Sequence, residues 1–100
     1  MATSKDYKDF ILEQLSGMEK ITCRQMMGEY LLYFDGVLFG GIYDNRLLVK
    51  KTENNAAFGL EEVLPYDSAK PMYLIEEVDD AEKLKEIVIK TYEELKNSKR

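Results

Sequence analysis

The chain has 100 residues, 45% of them hydrophobic and 33% charged, with a formal charge of -5 and a single cysteine, Cys23. That size supports one domain, taken as residues 1–100, with a core that needs neither metal nor disulfide. An acidic balance argues against direct nucleic-acid binding, a lone cysteine suits a reducing cytoplasm, and no apolar run is long enough to span a membrane.

From the N-terminus, Thr3 or Ser4 can cap a first helix, with Asp6 and Asp9 in its electropositive first turn. Tyr7, Phe10, Ile11, Gln14, Leu15 and Met18 recur at helical spacing, and Gly17 suits the C-terminal end. Residues 21–27 read as a first strand, with Gly28 as a turn or bulge before the next.

The stretch from Arg24 to Lys50 organises the rest as an antiparallel β-meander. Asp35-Gly36 sits between two apolar, β-favouring runs, and a two-residue Asp-Gly loop is a strong hairpin signal. Asp44-Asn45 repeats the device more weakly. Two-residue loops set Phe34 opposite Val37, Leu32 opposite Phe39, Tyr43 opposite Arg46 and Ile42 opposite Leu47. Strict alternation then gives one face Leu31, Tyr33, Leu38, Ile42, Leu47 and Val49. The other face receives Tyr30, Leu32, Phe34, Val37, Phe39, Tyr43 and Leu48. Gly40-Gly41 in mid-strand marks a bulge or a close approach, read here as a helix crossing over Gly40.

After Lys51, Asn54 or Asn55 can cap a short helix over residues 56–62, ended before Pro65. Residues 66–70 form a polar loop, and residues 71–77 read as a last strand at a sheet edge. Asp79 is expected to cap a final helix, with Glu82 completing a capping box. Leu84, Ile87, Val88, Thr91, Tyr92 and Leu95 supply its apolar stripe. The predicted fold is α+β: a two-layer domain whose antiparallel meander packs with N- and C-terminal helices, in the order α-β-β-β-β-α-β-α.

Catalytic and ligand signatures are scarce. The chain has no histidine, which removes His-based triads and His metal sites. Cys23 beside Arg24 could be a nucleophile, but neighbours on a strand face opposite ways, and a small core residue explains it better. Glu29 with Asp35, or Glu76, Glu77, Asp79 and Asp80, could pair as carboxylates, yet strand-end and capping roles account for them. The glycines form no phosphate loop. No catalytic residue, metal site or cofactor is assigned. Between Glu61 and Glu82 the acidic residues face only Lys70, which reads as a solvated acidic surface.

The pattern at Arg24, Met26 and Gly28, followed by Tyr33, Gly36, Gly41, Arg46, Leu47 and Lys50, resembles the N-terminal domain of the TfoX/Sxy family. The run Lys70-Pro71-Met72-Tyr73 and the closing helix fit the same pattern, which spans essentially the whole chain. Met27 departs from it, since the family usually has Phe there. The resemblance implies a stand-alone N-terminal domain related to regulators of natural competence that act with a transcription activator. Full-length members add a C-terminal domain, and the family is not known as enzymes. The expectation is a non-enzymatic, cytoplasmic protein-interaction module of unknown partner, with a homodimer covering the Tyr30, Leu32, Phe34, Phe39 and Tyr43 face. Arg24, Arg46 and Lys50, motif positions of that family, join the expected interaction surface. The alternative is a small enzyme or ligand-binding domain, with a pocket between the sheet and the last helix that uses Tyr73 and Glu76.

Overall fold

The computed structural model describes residues 3–98. Its elements are α1 (Lys5–Gln14), β1 (Ile21–Met26), β2 (Glu29–Phe34), β3 (Val37–Ile42), β4 (Leu47–Val49), α2 (Glu53–Ala56), β5 (Glu61–Val63), β6 (Met72–Ile75) and α3 (Ala81–Ser98). The six strands form one antiparallel sheet in the order β1-β2-β3-β4-β6-β5. The fold is therefore α+β with terminal helices, as read from the sequence, plus one strand that was not expected. Residues 61 and 62, assigned to a helix above, instead form β5 together with Val63 and pair with β6. That pairing places β6 inside the sheet rather than at its edge.

The meander turns form as their residues dictate. Asp35 and Gly36 have φ of 54° and 79°, and Asp44 and Asn45 have 52° and 57°, the left-handed pair that a type I′ turn requires. Met27 and Gly28 do the same at 52° and 84°, closing the β1–β2 hairpin with Met26 opposite Glu29. Phe34 opposes Val37 and Ile42 opposes Leu47, as expected.

Between those two points the register slips. Leu32 opposes Gly40, not Phe39, because β3 carries an extra residue beside Leu32 and Tyr33. One inserted residue reverses every later alternation. Ile42, Leu47 and Val49 therefore join Tyr30, Leu32, Phe34 and Phe39 on the inner face. Tyr43 and Leu48 move to the outer face. The close approach at Gly40 comes from the neighbouring strand: a Cβ there would overlap the Leu48 carbonyl oxygen and lie 2.9 Å from Val49 Cα.

Both long helices cover the inner face. Ile11 of α1, Leu15 at its C-cap, and Leu84, Ile87 and Val88 of α3 pack with Leu32, Phe39, Ile42, Leu47, Val49 and Ile75, all essentially inaccessible. Phe34 meets the Tyr92 ring edge-on at 4.6 Å and 89°. Ser4 caps α1, its Oγ accepting from Tyr7 N at 3.1 Å. The short helix is capped by Thr52, two or three residues before the positions expected, through a reciprocal pair of hydrogen bonds with Asn55. Asp80, not Asp79, caps α3, accepting from Lys83 N at 3.2 Å. Buried Asn55 also donates to the Lys50 carbonyl and to Thr91 Oγ1, both at 2.8 Å, so it ties β4, α2 and α3 together.

Candidate functional site

The outer face is where side chains remain available. Its β1–β3 half carries Arg24, Met26, Glu29, Leu31, Tyr33 and Leu38, which are half-exposed or exposed. Its β4–β6 half lies under residues 64–71, and Leu48 there is fully buried. Arg46 holds that segment in place. Its Nη2 donates to the carbonyls of Leu64 and Pro65, both at 3.3 Å, while its Nε donates to Tyr43 O at 3.2 Å. Tyr43 and Tyr66 meet at 6.2 Å between ring centres, tilted by 51°.

This arrangement leaves a cleft of about 510 Å³ between β3–β4 and the overlying segment. Leu38, Tyr43, Pro65, Tyr66 and Met72 supply its apolar walls, and Lys50 and Lys70 its charges, with Lys51 at its border. Lys51 is held by Glu62 at 2.9 Å and lies 5.7 Å from the Tyr73 ring centre. That hydrogen bond raises its pKa above the usual lysine value. Burial raises the Tyr43 hydroxyl above its usual value.

The residues expected to form an exposed patch divide between the two faces. Tyr30, Leu32, Phe34 and Phe39 lie on the inner face beneath the helices, where Leu32 and Phe39 have no accessible surface. The slip at Phe39 is the cause: with Ile42, Leu47 and Val49 on their side, these residues complete the core. Tyr43 stays available, half-buried on the outer face. Arg24 is exposed on β1, Lys50 is exposed at the cleft, and Arg46 is committed to backbone carbonyls.

The chemical candidates have structural partners. Glu29 accepts from Thr3 Oγ1 at 2.6 Å and from Asp44 N at 3.1 Å. Asp35 accepts from Tyr92 OH at 3.0 Å and lies 3.7 Å from Lys20 Nζ. Glu77 pairs with Lys83. Cys23 packs against the core, and burial pushes its thiol above the usual range, away from the reactive thiolate. No group of three or more Cys, Asp or Glu among the described residues is placed to hold a metal. A hollow of about 290 Å³ does lie between β6 and α3, bordered by Glu76 but not by Tyr73. Its Lys83 is already paired with Glu77. No helix of the described residues is long and apolar enough to cross a membrane.

The cleft escaped the sequence reading. Its Pro71-Met72 wall and Lys70 were legible only as a loop before a strand, and no local signal says that Arg46 reaches back to residues 64 and 65.

The family model described as TfoX N-terminal domain matches residues 13–95. A protein of Spirochaeta aurantia described as "Uncharacterized 12.7 kDa protein in trpE 5'region" is 32% identical over 80 residues, covering 78% of this chain and 70% of that protein. The chain belongs to the TfoX N-terminal domain family.

Proposed function

We propose that this domain is a non-enzymatic, cytoplasmic regulatory module that acts through protein contacts, in keeping with its family's relation to competence regulation. It pairs with a second copy of itself through the open half of the outer sheet face. The observation that supports this is the row Met26, Leu31, Tyr33 and Leu38, apolar side chains left half-exposed or exposed on the side away from both long helices. Aromatic residues and Met are enriched in interface cores. Arg24 and Glu29 share that face, so a two-fold arrangement can set each cation against the other copy's carboxylate.

Size exclusion with light scattering, at several micromolar concentrations, tests this on wild type and Tyr33→Glu. A wild-type dimer and a folded monomeric variant are expected. A wild type that stays monomeric at every concentration overturns the pairing, and a dimer untouched by Tyr33→Glu moves the interface elsewhere.

A further inference from the structure

We propose that the cleft between β3–β4 and the segment around Pro65 to Met72 binds a small organic anion, one that carries a phosphate or carboxylate on a flat apolar body. This goes beyond the pairing reading, because it concerns the cleft under residues 64–71, which shares Leu38 with the open half.

Charge is the first argument. The chain has 19 acidic residues against 14 basic ones, yet no Asp or Glu lines this cleft while Lys50, Lys51 and Lys70 do. A concave site lined by one sign of charge concentrates the opposite ion. Lys51 is occupied by Glu62. The ammonium groups of Lys50 and Lys70 make no ion pair or hydrogen bond among the described residues. In a chain rich in carboxylates, two unpaired lysines at one cleft leave positive charge there for a ligand.

Shape is the second argument. The cleft's volume, about 510 Å³, falls within the range typical of small-molecule sites. Tyr43 and Tyr66 offer tilted rings on one side, and Leu38, Pro65, Pro71 and Met72 offer apolar surface around them. A planar apolar group suits those walls, with its anionic end at the lysines. Arg46 builds the cleft in advance, since its bonds to the carbonyls of Leu64 and Pro65 fix the wall without using either free lysine. The Tyr43 hydroxyl, protonated at neutral pH as any phenol is, adds a donor at the wall.

The test is an amide-shift titration of the isotopically labelled chain with phenyl phosphate and, separately, with benzoate. Inorganic phosphate and benzyl alcohol are the controls. Saturable shifts are expected at Gly40, Lys50, Ala69, Lys70 and Met72 for at least one aromatic anion, and the tighter of the two identifies the head group. The double variant Lys50→Gln, Lys70→Gln should weaken that anion roughly tenfold or more. Lys90→Gln, which removes one positive charge on α3, should leave it unaltered. Both cleft lysines are exposed, and the spectrum itself reports whether the variant is folded. Tyr66→Ala, at another exposed position on the wall, should also weaken binding. The proposal is overturned if neither aromatic anion saturates, or if the double variant binds as tightly as wild type. It is also overturned if benzyl alcohol or inorganic phosphate binds as well as the aromatic anion.

Discussion

The inner and outer faces of the sheet are both rich in apolar side chains, but they are closed by different means. The inner face is sealed by two amphipathic helices, with Ile11, Leu15, Leu84, Ile87 and Val88 meeting Leu32, Phe39 and Ile42. The outer face is closed over its β4–β6 half by an irregular segment pinned through one arginine. Its β1–β3 half has half-exposed and exposed side chains. Helices cover a sheet well because they satisfy their own backbone, whereas a covering loop needs partners for its carbonyls. Arg46 provides those partners. Stability should therefore concentrate on one face and adaptability on the other.

The largest effect is expected inside. Phe39→Ala removes a fully buried ring at the bulge and should cost about 3–5 kcal/mol, read from urea unfolding. A loss below about 1 kcal/mol would mean the inner face repacks easily, and the contrast between faces would weaken. Arg46→Ala comes next, at about 1–2 kcal/mol, since a half-buried guanidinium gives up bonds to three carbonyls. Its sharper sign is faster amide exchange confined to residues 64–71, with the inner strands still protected. Uniformly faster exchange would mean that segment and core open together. Met26→Ser is expected to be smallest, within about 0.5 kcal/mol for the folded monomer, while reducing self-association. A large loss of monomer stability would show that the open half is covered after all.

How far the sequence shows this contrast depends on how local each signal is. The turns at Asp35-Gly36 and Asp44-Asn45 were legible because positive φ is a property of two adjacent residues. The stripes of α1 and α3 were legible for the same reason. Gly40-Gly41 announced an irregularity, but nothing nearby says that Phe39 becomes the extra residue, and that one slip exchanged Ile42, Leu47 and Val49 between faces. The β5 strand was hidden because it is only Glu61–Val63 and is held by partners nine to thirteen residues away. Thr52 was missed as a cap although it stands three residues before Asn55, the spacing a capping box uses. The expected exposed patch divided where the register slipped: an apolar patch named from alternation inherits any error in alternation. The latch of Arg46 on residues 64 and 65 is a tertiary contact without local precedent.

The order of the strands also sets where this domain can change length. The first four strands are joined by two-residue turns whose geometry allows no insertion, whereas β4 reaches β6 only after the whole of segment 50–71. Closing a longer loop costs little, about 0.6 kcal/mol for each doubling. Variation in length should therefore gather between Tyr66 and Lys70, on the rim of the cleft. There, added residues would reshape what the cleft accepts while leaving the sheet register and the helix-covered core untouched.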